Sequence, residues 1–378
     1  MPGLGTVEPL VDPVGLPPHD HAARRRRLRS ATRELGVDLL VVTDPRNVHH
    51  LSGFRGSNGQ LLLGETDAVL VTDARYAQRA VDEAPGLDVL LDRDWIAAAI
   101  RTAAALGPGA ILGFEDHHVT ARVAADLRGR AEVQGIGVVA AGGLAEAGRE
   151  VKDAAELARI ELACAVTDAA LTALFEVVAP GWTEQQVARF LARRFEDLGA
   201  EGPAFDTIAA GGPNSAVPHH APTSRPLAVG DLLKVDCGAR VDAYHADTTR
   251  TVALGDPGSR LREVHALVVE AQAAGRRAAT AGATGGDVDL ACREPIEAAG
   301  LGDAFVHGTG HGVGLQIHEA PAVTTGSAAT LRARTVLTVE PGVYLPGIGG
   351  VRVEDTVVVL EDGPARSCTT TPRDLLVL

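Results

Sequence analysis

Two stretches of this sequence place pairs of acids inside strands that read as buried, and that constrains the fold and its chemistry more than any other feature. In LLKVDCGARVDAYHADTTRTVAL, Asp236 and Asp247 are equidistant from the point between Val241 and Asp242, and Gly238, Asp242 and Ala243 permit a turn there. A hairpin centred at that point makes the two carboxylates cross-strand partners on one face, with Cβ atoms about 4.5–5.5 Å apart. In RTVLTVEPGVYLPGIGGVRVEDTVVVL, Glu340 and Glu354 are likewise symmetric about Gly347, within the glycine-rich tip Pro346 to Gly350. A single acidic pair has an ordinary explanation as an exposed hairpin face. Two pairs in valine-rich strands do not share it, because four clustered carboxylates stay ionised only beside a strong positive partner.

Between the hairpins lies HGTGHGVGLQIHEAP, with His307, His311 and His318. One neutral imidazole added to four carboxylates makes a site of hard oxygens with a single nitrogen, which suits two divalent ions such as Mn²⁺, with Co²⁺ or Zn²⁺ as alternatives. A structural zinc site would draw on cysteines or more histidines. The glycines at 308, 310, 312 and 314 lack the GxGxxG spacing and the strand-to-helix setting of a nucleotide loop.

The chain around these motifs is that of an ordinary globular enzyme. Its 378 residues suggest two domains, and no run approaches the roughly 20 apolar residues of a membrane span. With 49 acidic against 35 basic residues, the formal charge of −14 argues against a nucleic-acid partner. Arg24 to Arg27 therefore read as a solvated helix face. Four cysteines far apart in sequence predict a reducing, cytoplasmic setting, and the proline-rich start lacks the pattern of a secretory signal.

Residues 1–20 read as a flexible tail. Residues 21–148 alternate strand and helix patterns, opening on a helix capped by Asp20 and stopped at Gly36, which predicts an α/β domain. Residues 149–378 read as an α+β domain. It begins with a long helix under the Asp153/Glu156 capping pattern, followed by a second started by Thr183 and Gln186. Further helices are expected near 260–279 and 287–299 among many strands.

The segments VDCG…HADTTRT, HGTGHGVGLQIHEAP, TVEPGVY and GVRVED resemble, in order and spacing, the metal-binding segments of the pita-bread metallopeptidases. The similarity is to the branch that holds the Xaa-Pro aminopeptidases (aminopeptidase P) and the Xaa-Pro dipeptidases (prolidases). VTDPRNVHHLSGFRGSNG and VTDARYAQRA look like that branch's non-catalytic, creatinase-like N-terminal domain.

The resemblance implies that Asp236 binds one metal, that His311 and Glu340 bind the other, and that Asp247 and Glu354 bridge them. It makes His219, His307 and His318 substrate-contacting histidines, and it sets Tyr344 and Arg352 behind the ligands. Two neighbours of ligands depart from the family's usual residues: Cys237 stands in place of Phe or Ala, and Ala246 in place of Ser.

The implied reaction is hydrolysis of the bond before proline at a peptide N-terminus. Two ions about 3.5–4 Å apart would share and activate the attacking water. Glu340 would take that water's proton, and His219 and His318 would steady the oxyanion or protonate the proline nitrogen. A prolidase restricted to dipeptides is the nearest alternative, and a metal-free creatinase-like hydrolase or binding module is the more distant one. The resemblance also implies a homodimer.

Overall fold

The computed structural model describes residues 9–11 and 15–378, which separate into two compact units. One comprises residues 18–149; the other combines 150–378 with the residues preceding 18. The expected tail over 1–20 lies partly outside the described residues. Within it, Leu10 and Val11 are held by backbone bonds to the Leu198 carbonyl, at 3.0 and 3.3 Å, so this part is anchored and not free.

The N-terminal unit is a six-stranded mixed sheet. Its strands are β1 (Leu39–Val42), β2 (Gly59–Gly64), β3 (Ala68–Thr72), β4 (Asp88–Leu91), β5 (Ile111–Phe114) and β6 (Gly137–Ala140), in the order β4-β3-β2-β1-β5-β6. Helices α1 (His21–Glu34), α2 (Pro45–Ser52), α3 (Ala77–Glu83), α4 (Trp95–Leu106), α5 (Ala121–Glu132) and α6 (Leu144–Glu150) complete it. A separate apolar core covers each face of the sheet. Asp20 caps α1 through the Ala23 amide, as its spacing predicts. His49 and His50 are buried on α2.

The second unit begins with α7 (Ala154–Val177) and α8 (Glu184–Asp197), and both expected capping boxes are present. Strands β7 (Ile208–Gly211), β8 (Leu232–Cys237), β9 (Arg240–Val241), β10 (Tyr244–His245) and β11 (Thr248–Ala253) follow, then α9 (Ser259–Ala278) and α10 (Gly285–Ala298). Strands β12 (Gly310–Gly312), β13 (Glu319–Val323), β14 (Val336–Val339), β15 (Gly342–Leu345), β16 (Gly349–Arg352), β17 (Asp355–Val358) and β18 (Arg366–Ser367) end the chain. One sheet runs β11-β8-β7, a second runs β13-β12-β14-β17-β18, and β15 pairs with β16. α7 and α8 share a core with β8, while α9 and α10 share one with β14 to β17.

The two acidic hairpins differ in how closely they follow the expected register. Val339 pairs with Asp355 and Gly342 with Arg352, a single register that continues across Glu340 and Glu354 and sets them opposite each other, as the sequence symmetry predicts. In the first hairpin Tyr244 pairs with Val241 and Asp236 with Thr249. Its turn falls on Asp242 and Ala243, both at positive φ, as a two-residue hairpin turn requires. The centre is therefore one residue later than expected, and the pairing is displaced by two. A displacement of two preserves the face, so Asp247 is the diagonal neighbour of Asp236 and not its direct partner.

Candidate metal centre

Each strand end delivers one side chain to a common cavity of about 780 Å³ within this unit. Asp236, Asp247, His311, Glu340 and Glu354 all line it, together with His219, His307, His318 and Arg352. Asp236 comes from β8, and Asp247 precedes β11. Glu340 and Glu354 sit where the β14–β17 ladder hands over to β15–β16. His311 lies at the irregular point of β12, where its register with β13 shifts. Backbone close approach makes this bend: a Cβ on Gly310 would lie 2.1 Å from the Thr338 carbonyl oxygen, and one on Gly312 2.1 Å from that of Ala320.

The two hairpins are joined beside the acids. The Glu354 amide donates to the Thr249 carbonyl at 3.1 Å, and the Thr249 hydroxyl donates to Glu354 Oε2 at 2.6 Å. Glu340 Oε1 accepts from the Thr338 hydroxyl at 3.0 Å. Asp236 Oδ1 and Glu354 Oε1 are buried and make no hydrogen bond among the described residues. Reactive oxygens left in this way are costly unless something else meets them.

His311 Nδ1 lies 3.1 Å from the Gly312 carbonyl oxygen, a contact that places the proton on Nδ1 and leaves the Nε2 lone pair for a ligand. That Nε2 is 3.5 Å from Asp247 Oδ2 and 3.4 Å from Glu340 Oε1. Ligand atoms of Asp247, His311 and Glu354 all fall within 4.8 Å of one another.

Electrostatics agree with an anionic pocket that wants cations. Burial, then the charges of Glu354, Asp236 and Glu340, push Asp247 well above the usual carboxylate range. Burial, then Glu340 and Asp236, do the same to Glu354. Burial raises Glu340 to about 7 against the pull of Arg352. These shifts measure the strain of gathering like charges away from water. Buried oxygens without partners and one aimed imidazole nitrogen fit hard divalent cations.

Arg352 is the resident cation. It donates to Asp236, to the Thr249 hydroxyl at 2.9 Å, to the Tyr344 hydroxyl at 2.9 Å and to the Pro218 carbonyl at 3.2 Å. Tyr344 in turn meets His307 Nε2 at 2.8 Å, while His307 Nδ1 meets the Gly308 carbonyl at 2.7 Å. Both nitrogens of His307 are thus engaged inside the protein, and burial lowers its pKa to about 4. His307 forms a wall of the cavity, its ring held in place by these two contacts. His219 and His318 are exposed at the mouth, and His318 stacks edge-on against His311 with ring centroids 4.4 Å apart.

Sequence reasoning missed the residues that hold this geometry. Glu184, at the start of α8, accepts from the Gly211 amide, Asn214, His220 and both the amide and hydroxyl of Thr223. Lys234 points its ammonium at three carbonyls of the turn before His219. Thr249 and Thr338 were open to discovery, since each stands two residues from a carboxylate and so shares its face. Cys237 and Ala246, the two departures, are fully buried fillers beside the ligands.

Comparison with known proteins agrees with this geometry. The sequence profile of metallopeptidase family M24 matches residues 158–361, and that of the creatinase/prolidase N-terminal domain matches residues 24–151. The chain belongs to metallopeptidase family M24. This M24 metallopeptidase is 35% identical over 353 residues to YqhT, an uncharacterized peptidase of Bacillus subtilis, covering 93% of this chain and 99% of that one. Among solved structures it is similar to an Xaa-Pro dipeptidase from Bacillus anthracis, with a TM-score of 0.90, 33% identity and coverage of 95% and 100%. It is also similar to an X-Pro aminopeptidase from Thermotoga maritima, with a TM-score of 0.84, 33% identity and coverage of 94% and 99%. The M24 enzyme thus combines a creatinase-type N-terminal domain with a pita-bread catalytic domain. No helix among its described residues is long and apolar enough to cross a membrane.

Proposed function

We propose that this enzyme is an Xaa-Pro aminopeptidase, releasing the residue that precedes a proline at the second position of a peptide. The observation that carries the reading is the cationic inventory of the cavity. Among the described residues that line it, the one guanidinium is Arg352, buried and engaged by Asp236 and Tyr344, and there is no lysine. A dipeptidase has to meet the free carboxylate of its proline, and such a charge would find no uncommitted cation there. A volume of about 780 Å³ also leaves room for residues beyond the proline.

In this reading Asp236 would hold one divalent ion and His311 and Glu340 the other, with Asp247 and Glu354 shared between them; the metal would be Mn²⁺, with Co²⁺ or Zn²⁺ as alternatives. When bound, such a pair supplies Lewis acidity and a lowered pKa for water. Glu340, half-buried and accepting from Thr338 on one oxygen, receives the proton of the attacking water. His219 and His318, exposed at the mouth, steady the oxyanion and return a proton to the proline nitrogen. That nitrogen belongs to a tertiary amide with no N–H of its own, so its departure depends on a delivered proton. Cytoplasmic location and a homodimeric state belong to the same proposal.

The similarity to a structure named as an Xaa-Pro dipeptidase favours the rival reading, and one assay separates them. Turnover of Xaa-Pro and of Xaa-Pro-Xaa peptides is compared after metal removal and readdition of Mn²⁺. The aminopeptidase reading expects cleavage of the longer peptide; activity confined to the dipeptide overturns it. Metal-free protein that no divalent ion activates would point instead to a binding module.

A further inference from the structure

Lys234 lies on β8, two residues before Asp236 and on the same face, and its side chain is fully buried. Its Nζ donates to the carbonyls of Val217 at 2.7 Å, Ser215 at 3.1 Å and Pro218 at 3.2 Å. It also lies 4.9 Å from the centroid of the Tyr344 ring, whose face attracts a cation. Burial, followed by the Arg352 charge, draws its pKa down to about 6, while Asp236 opposes this. Three carbonyls around one nitrogen oppose it too, because they match the three N–H donors of an ammonium and offer nothing to a lone pair.

A buried ammonium is expensive where a methionine of similar length would fill the same space. Its use here answers a need of the backbone. The short 3-10 turn Gly212–Ala216 and the two residues after it fold so that the carbonyls of Ser215, Val217 and Pro218 converge on one point, and the next residue is His219. Carbonyls brought together repel one another unless a shared donor sits between them. The same segment is tied further by the Ser215 hydroxyl, which accepts from the Gly350 amide at 2.8 Å, and by Arg352, which shares the Pro218 carbonyl with Lys234.

We infer that Lys234 is a positioning residue whose ammonium gathers the carbonyls of Ser215, Val217 and Pro218 and thereby fixes His219 at the mouth of the metal cavity. This rests on the reading of His219 as a substrate-contacting group. Lys234 acts on turnover through the turn and not through its charge on the nearby acids.

A double-mutant cycle on the full-length, metal-loaded enzyme tests it, with Lys234→Met and His219→Ala read as kcat and KM separately and bound metal measured in each. The expected result is a loss of about 10²-fold in kcat/KM for K234M, with metal content unchanged. In the H219A background the same substitution should cost no more than about two-fold. Lys234→Gln keeps two N–H donors without the charge and should recover most of the loss; it also carries the cycle if K234M fails to fold. Losses that multiply, or a K234Q enzyme as impaired as K234M, overturn the clamp. An H219A enzyme as active as its parent overturns instead the role given to His219, and with it the purpose of the clamp.

Discussion

Glu184 is fully buried at the first position of α8, yet five donors turn toward its carboxylate: the Gly211 amide at 2.9 Å, Asn214 at 2.9 Å, His220 at 2.8 Å, and the Thr223 amide and hydroxyl at 2.9 and 2.6 Å. Burial alone would raise its pKa, but these bonds outweigh that and bring it from 4.5 to about 2. The start of a helix favours the negative charge as well. At about 1.4 kcal/mol per pH unit, this difference is worth about 3 kcal/mol of folding stability at neutral pH. Because the folded-state pKa is depressed, that contribution is complete above about pH 4.5 and is lost as pH falls toward 2.

Glu184→Gln keeps the shape but presents an amide NH₂ to donors on one side, so two or three buried donors lose their acceptor. For a unit of this size the expected deficit is a lowering of Tm by roughly 6–12 °C at pH 7. Calorimetric unfolding of both proteins at pH 7, 5, 4 and 3 should give a stability gap that is flat to pH 5 and down to about 1 kcal/mol at pH 3. The other carboxylates are common to both proteins and cancel in the difference. A gap that stays constant over this range, or a variant as stable as its parent at pH 7, refutes the reasoning.

Other expectations are shorter. In metal-free protein Glu354→Gln should unfold at a higher temperature than the parent, because it removes one of four like charges sharing a buried pocket. The same variant should bind divalent ions more weakly by calorimetric titration, and a lower Tm without metal would count against the charge-crowding argument. Gly350→Ala would set a Cβ 2.4 Å from the Ser215 carbonyl oxygen and 2.8 Å from the Tyr344 ring. It should cost about 1–3 kcal/mol in thermal unfolding and raise KM by disturbing the turn before His219. His265, buried on α9 and lowered by burial to about 4, stabilises the fold above pH 6.5, and that contribution is lost as pH falls to 4. His265→Leu should flatten the stability profile across this window; an unchanged profile would remove His265 as its cause.

The second acidic hairpin was fully legible because a glycine-rich tip between valine-rich arms leaves only one centre of symmetry, and one register runs through both of its ladders. The first was legible in face but not in register. Its turn uses Asp242 and Ala243 at positive φ, and an alanine there carries no signal that would fix the centre. The metal-ligand cluster could be read since carboxylates in apolar strands are conspicuous. Glu184 and Lys234 could not, because each works by collecting backbone groups from a distant loop, and a sequence does not say which carbonyls will converge. The partners of His307 were hidden for the same reason: its place in a histidine-rich motif does not say that Gly308 and Tyr344 will hold its two nitrogens.

The junction between the hairpins also bears on the order in which the molecule folds. Each hairpin is local, its ends separated by about twenty residues, so each can close at small entropic cost. The contact between Thr249 and Glu354 spans 105 residues, with α9, α10 and the histidine segment in between. Neither hairpin alone holds more than two of the four acids. The full set exists only after that long closure, so metal uptake during refolding should report docking of the two halves, lagging behind the appearance of their strands.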